Sequence, residues 1–449
     1  MPPADATFPP GFVWGAATAA YQIEGATGAD GRGPSIWDTF SRTPGKVVGG
    51  DTGDTACDHY HRYPEDVGLM WELGLGAYRF SIAWPRIFPT GGGRPNPAGL
   101  DFYKRLVETV RAAGIEPWAT LYHWDLPQAL QDAGGWANRD TVGRFGEYAH
   151  AVGVALGDGI PRWITQNEPW VSSSLGHFSG DHAPGTRDLA TSLQVAHHLL
   201  LSHADAMAAL RAEARPGDQV GITLNLAPVE PDGDSQADLE AADRLDAYVN
   251  RWFLDPLFHG RYPDDLLHYF GAAAPEVQGD DLARIAAPLD FLGVNYYFRA
   301  VVRHDPTDPP VGAAMVTPSG RPLTAMGWEV YPEGLHDILT RVHRDYAPPA
   351  LYVTENGAAF EDRPRDGRVD DPERRAFLHD HLLQALRAIE AGVPLRGYFA
   401  WSLLDNFEWS YGYAKRFGLI HVDYGTQERT IKASGRWYAE VTRENAVEG

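Results

Sequence analysis

Residues 162–168 read Arg-Trp-Ile-Thr-Gln-Asn-Glu, a short apolar run that ends on an amide and a carboxylate. The run has the length of a strand rather than a helix, and the carboxylate at its end is costly to bury without partners. Seven further runs share its character: Phe12–Ala17, Ala77–Ser81, Pro117–Tyr122, Val220–Leu224, Phe291–Tyr296, Leu351–Glu355 and Arg396–Trp401. Most are rich in β-branched or aromatic residues, as strands of a buried parallel sheet are. Their starts lie 65, 40, 45, 58, 71, 60 and 45 residues apart, room for a crossover helix each time.

Helical patterns fill several of these gaps. Leu193, Ala196, Leu200, Ala204 and Met207 recur on one face at three- and four-residue steps. Leu100 to Ala113 reads as a helix stopped by Gly114, and Arg374 to Ile389 as another, entered through Asp371-Pro372-Glu373. Eightfold alternation of strand and helix predicts an α/β fold, a closed (β/α)8 TIM barrel; a doubly wound open sheet is the alternative. The length of 449 residues would suit about three average domains, but barrels with long loops reach this size as one. The expectation is a single domain over residues 1–449 with elaborated βα loops.

In a barrel of this kind chemistry sits at the C-terminal strand ends. Polar and aromatic residues gather there: Arg79 in the second run, His123 and Trp124 after the third, Asn167 and Glu168 at the fourth. The sixth gives Asn295 and Tyr297, the seventh Glu355 and Asn356, and the eighth Trp401. One polar ending would mean little, but several on different strands facing one mouth are hard to explain as packing.

Composition excludes other classes. Asp and Glu number 60 against 38 Lys and Arg, a formal charge of −22, so nucleic acid and anionic membrane surfaces are unexpected partners. Cys57 is the only cysteine, which excludes an internal disulfide. Arg32 is the first basic residue and no apolar run has the length of a membrane span, so a cytoplasmic location is expected. The 14 Trp, 20 Tyr and 18 Phe serve core packing and also suit ligands with an apolar C–H face and a polar rim, such as sugars.

Glu168 and Glu355 each follow a run that should be buried, each stands beside an Asn, and they come from strands on opposite sides of the barrel. Glycoside cleavage needs such a pair: one carboxyl protonates the departing oxygen while the other attacks C1 or directs water at it.

The chain resembles glycoside hydrolase family 1, the β-glucosidase family, along nearly its whole length. The motifs are Phe12-Val13-Trp14-Gly15-Ala16-Ala17-Thr18, Tyr21-Gln22-Ile23-Glu24-Gly25, Asp58-His59-Tyr60-His61-Arg62-Tyr63 and Tyr78-Arg79-Phe80-Ser81. His123-Trp124-Asp125-Leu126-Pro127, Thr165-Gln166-Asn167-Glu168-Pro169, Thr354-Glu355-Asn356-Gly357 and Asn406-Phe407-Glu408-Trp409 continue the series. The resemblance implies a retaining mechanism with Glu355 as nucleophile and Glu168 as acid/base, and Arg79 and Tyr297 as partners of the nucleophile. It implies Gln22, His123, Asn167, Glu408 and Trp409 as hydrogen-bonding groups for the sugar and Trp401 as an aromatic floor. Trp124, Asn295 and Trp328 complete the expected substrate-binding set. No metal or other cofactor is expected.

Glu408 would repel a 6-phosphate, and an acid at 168 fits an O-glycosidase rather than a thioglucosidase. Trp170, Leu175, His182 and Trp328 belong to the expected outer pocket, where the leaving group sits. Phe298 departs from the small polar residue more common there in the family. His59 and His61, with Asp54 and Asp58, have a spacing that does not build a metal site, and the acids after Pro231 do not complete a calcium loop. The expected substrates are small β-glucosides such as cellobiose and aryl glucosides. A β-galactosidase or β-fucosidase, a transglycosidase and a non-catalytic carbohydrate-binding barrel are the rivals, and a homo-oligomer is compatible with the sequence.

Overall fold

The computed structural model describes residues 6–448. Eight parallel strands form a closed barrel: β1 (Val13–Ala17), β2 (Ala77–Ser81), β3 (Glu116–Tyr122), β4 (Arg162–Asn167), β5 (Gln219–Asn225), β6 (Phe291–Asn295), β7 (Leu351–Asn356) and β8 (Leu395–Trp401). Each pairs with its neighbour in chain order, and β8 closes on β1 with Trp401 opposite Ala17. All eight runs read from the sequence are strands, and the open-sheet alternative falls away because no barrel strand has a free edge.

The three helices read from the sequence also form, each starting earlier than read. Leu189–Glu213 begins where the Asp188 side chain accepts from Thr191 N at 3.1 Å. Pro97–Ala112 starts earlier than hydrophobic periodicity shows, because Asn96 caps Ala98 N and Pro97 fits the first turn. Pro372–Glu390 likewise opens on proline.

Side chains two apart on a strand point to the same side, so the interior fills in layers. In the lower layer Trp118 packs edge-on against Phe291, Tyr352 and, at a tilt, Phe399, with centroids 5.4, 4.8 and 5.0 Å away. Next comes a polar layer of Thr120, Thr223 and Thr354, all buried around Arg79. Gly293 makes room for it: a Cβ there would lie 2.2 Å from Thr223 Oγ1.

Pairing register shifts between Ile164 and Asn167 on β4, and between Val353 and the Glu355–Asn356 pair on β7. Such irregularities re-aim side chains, and these two fall where the strands deliver Glu168 and Glu355. β5 and β6 separate β4 from β7 on one side and four strands separate them on the other.

Long loops build the upper rim. After β4 a π-helix, Val171–Ser179, carries Leu175. His59 is buried with Nδ1 2.7 Å from Asp66, which also pairs with Arg429, while His61 is exposed against Asp58. No helix among the described residues is long and apolar enough to cross a membrane.

Candidate active site

A cavity of about 650 Å³ opens at the C-terminal ends of the strands. Glu168, Glu355, His123, Trp124, Tyr297, Trp328, Trp401, Glu408 and Trp409, all expected from the sequence, line it. Arg79, Gln22, Asn167 and Asn295 are not in the lining; they are fully buried behind it and hold the groups that are.

Arg79 is the hub. Its Nη1 donates to Glu355 Oε1 at 2.6 Å and to the Thr354 carbonyl at 2.9 Å. Its Nη2 donates to Asn167 Oδ1 at 2.5 Å and its Nε to Thr120 Oγ1 at 3.2 Å. One guanidinium therefore fixes β7 against β4. The second oxygen of Glu355 accepts from the Tyr297 hydroxyl at 2.6 Å.

Glu168 has a different environment. Its Oε1 accepts from Asn295 Nδ2 at 2.6 Å, and the Asn295 amide is oriented by the Thr354 hydroxyl, which donates to Asn295 Oδ1 at 2.8 Å. No cation touches Glu168 among the described residues. Burial, and then the charge of Glu355, push its pKa up to about 8. Burial also raises Glu355, but Arg79 and the Tyr297 hydroxyl oppose that rise. Glu168 thus keeps its proton near neutrality, while Glu355 sits where negative charge is best stabilised.

Asn167 Oδ1 accepts from Arg79 and Asn295, so its Nδ2 is the donor facing His123 Nε2 at 3.1 Å. Burial and the nearby Arg79 hold His123 well below its usual pKa, so the ring is neutral and its proton lies on Nδ1. Among the described residues that Nδ1 has no partner, and neither has Gln22 Oε1. Gln22 Nε2 is occupied by the Phe407 carbonyl, Asn406 Oδ1 and, at 3.4 Å, Glu408 Oε2. His123 lines the cavity and Gln22 lies directly behind Glu408, and buried polar atoms without partners at such places are the ones that wait for a ligand's hydroxyls.

The walls are aromatic. His123 stacks on Trp401 and Trp409 with interplanar angles of 21° and 19°, and Trp124 packs 4.6 Å from Trp409. Trp124, Glu168 and Trp409 all have left-handed backbones, with φ of 80°, 50° and 50°. Non-glycine residues hold that conformation at a cost, and three in one cup indicate geometry fixed for function. Trp170, Leu175, His182, Trp328 and Phe298 line the same cavity.

Several lining residues escape sequence reasoning. Asn225 ends β5 and was readable by the strand-end rule. Phe40 and Lys46 come from the loop after β1, Arg187 from the β4 loop, and Tyr411 and Phe417 from the loop after β8; these loops have no periodicity to read.

The arrangement offers a proton donor and an ionised carboxylate in one cup, with amide, imidazole and carboxylate groups beside aromatic faces. That is the inventory for acid-assisted nucleophilic displacement on a polyhydroxylated ring. Comparisons with known proteins agree. A model for Glycosyl hydrolase family 1 matches residues 4–447. The chain is 51% identical to Beta-glucosidase A of Acetivibrio thermocellus over 447 residues, covering 98% of this chain and 99% of that one. A solved family 1 β-glucosidase from Thermotoga maritima superposes with a TM-score of 0.96 at 48% identity, covering 99% of this chain and 100% of that one. The Thermotoga maritima enzyme solved in complex with galacto-hydroximolactam superposes with a TM-score of 0.95 at 48% identity and the same coverage.

Proposed function

The chain belongs to glycosyl hydrolase family 1, and from that premise we propose that Glu355 is its nucleophile and Glu168 its acid/base. The protein is a retaining β-glucosidase. It releases terminal non-reducing β-D-glucosyl residues from cellobiose, short oligosaccharides and aryl or alkyl β-glucosides by double displacement.

In the first step a Glu355 oxygen attacks C1 while Glu168 gives its proton to the departing oxygen, leaving a glucosyl ester on Glu355. Esterification removes the negative charge of Glu355, and with it one of the causes that hold the proton on Glu168. Glu168, now ionised, takes a proton from the incoming water as that water attacks C1 and Glu355 departs. Arg79 and Tyr297 keep Glu355 charged and aimed. Asn295 holds Glu168 in place, and its hydrogen bond to the carboxylate opposes part of the rise that burial causes.

Gln22, His123, Asn167, Glu408 and Trp409 take the sugar hydroxyls, and Trp401 lies under the ring. Trp170, Leu175, His182 and Trp328 receive the leaving group. Glu408 is read as the acceptor for the 4- and 6-hydroxyls. A second reading, activity on β-galactosides and β-fucosides, is supported by the galacto-hydroximolactam complex of the Thermotoga maritima relative and by a 45% identical bifunctional β-D-glucosidase/β-D-fucosidase of Bifidobacterium breve.

The observation that carries the proposal is the contrast at the two carboxylates: Arg79 and Tyr297 on Glu355, a lone neutral amide on Glu168. A panel of p-nitrophenyl β-glycosides, with proton NMR of the first-formed anomer, tests it. β-Glucose first and β-glucoside preferred is the expected result; α-glucose first would reject a covalent glucosyl–Glu355 ester.

A further inference from the structure

Beneath the loops that follow β7 and β8 lies a second set of buried charges, outside the cavity. Lys432 is fully buried, and its Nζ donates to Asp362 Oδ2 at 2.5 Å and to Asp405 Oδ1 at 2.6 Å. Arg374 donates to both oxygens of Asp362 at 3.0 Å and to Asp371 Oδ2 at 2.5 Å. Arg416 Nη1 donates to Asp405 Oδ2 at 2.7 Å.

Asp405 is where this set meets the sugar cup. Besides Lys432 and Arg416, its Oδ1 accepts from Gly418 N at 2.9 Å. Residues 405 and 416–418 are the two feet of a single loop. Between them stand Glu408, Trp409 and Tyr411, and the second foot carries Phe417, all lining the cavity. The Asp405 carboxylate closes that loop at its base, and its two oxygens are shared among three donors. Arg374 ties the same foot to the segment after Glu355: its Nη2 donates to the Arg416 carbonyl at 2.7 Å and its Nε to the Ala358 carbonyl at 3.3 Å.

We propose that Lys432 is a positioning residue for sugar recognition: by orienting Asp405 it sets the place of Glu408 and Trp409, and thereby the enzyme's preference for a sugar bearing a 6-hydroxyl. The proposal rests on the reading of Glu408 as the acceptor for that hydroxyl. Without the ammonium, Asp405 keeps Arg416 and Gly418 and Asp362 keeps Arg374, but the cation that bridged the two acids is gone, and the carboxylate that clamps Arg416 and Gly418 turns or takes up a proton. The loop then loosens at its base, and displacements of about 1 Å in such a contact cost up to a hundredfold in rate.

The test compares p-nitrophenyl β-glucoside with its 6-deoxy analogue, whose leaving group is the same. A smaller fraction of folded enzyme lowers kcat/KM equally for both, so the ratio reads position rather than folding. In Lys432→Met the glucoside-to-6-deoxy ratio is expected to fall about tenfold, chiefly through KM. Lys432→Met combined with Asp362→Asn, which removes one of the two facing acids, keeps the protein folded for the same measurement and is expected to retain the lowered ratio. A ratio within twofold of the parent's in both variants overturns the proposal. Glu408→Ala, which removes the accepting oxygens altogether, measured alongside separates the two claims. If it leaves the ratio unmoved, the reading of Glu408 fails; if it lowers the ratio and the Lys432 variants do not, the positioning role fails.

Discussion

Two groups of buried charges stand within one loop of each other and are built on opposite rules. Under the β7 and β8 loops, Lys432, Arg374 and Arg416 meet Asp362, Asp371 and Asp405, three against three. In the cup, Arg79 alone faces Glu355, with Glu168 and Glu408 close enough to feel its charge. The consequences are opposite in sign. Burial would raise Asp405, but Lys432 and Arg416 outweigh it and hold the carboxyl below its usual range. Burial and Glu355 push both Glu168 and Glu408 up to about 8. Matched buried charges fix a shape, while unmatched ones remain reactive and mark the place where chemistry happens.

The largest effect that could break this contrast lies at Glu355. Glu355→Gly should lower turnover by roughly 10⁴-fold or more. Azide added to that variant should yield the α-glycosyl azide; a β-azide, or substantial residual turnover, would refute the nucleophile assignment.

Glu168→Ala comes next. Alkyl glucosides and cellobiose should lose about 10²–10⁴-fold in kcat/KM, and nitrophenyl glucosides far less in the first step, because nitrophenolate leaves without a proton. Equal losses would remove the acid role. In the parent, kcat/KM should fall as pH rises through about 8, where Glu168 gives up its proton. A fall already complete by about pH 6 would contradict the unmatched environment.

The balanced group should answer in stability. Lys432→Met leaves two buried carboxylates short of a partner and should cost about 3–5 kcal/mol, read from denaturant melts. Glu408→Gln should do the reverse at high pH. The folded carboxyl has its pKa raised from 4.5 to about 8, so its stabilising contribution is full below the unfolded value and is lost as pH rises toward 8. A glutamine carries no such charge. The variant should melt about 1–3 °C above the parent at pH 8.5 and level with it at pH 4.5, while losing activity.

The sequence discloses these two groups unequally. Barrel strands are short and buried on both faces, so each is a run of apolar residues, and a Glu or Asn at its end stands out. Glu168, Glu355, Asn167 and Asn295 are legible for that reason. The loop positions of Phe40, Lys46 and Tyr411 are set by contacts with distant segments and leave no local pattern. Lys432, Asp362 and Asp405 are hidden more deeply. Each sits alone in a mixed stretch that reads as ordinary surface charge, and only the fold shows that they neutralise one another. Asn225 was within reach of the strand-end rule, since it closes β5 as Asn295 closes β6.

The layer of Trp118, Phe291, Tyr352 and Phe399 makes the barrel a blind well rather than a tunnel. The barrel is closed from below, and the cup of about 650 Å³ is entered from the C-terminal face of the strands. Substrate, the severed remainder and the released glucose share that one mouth.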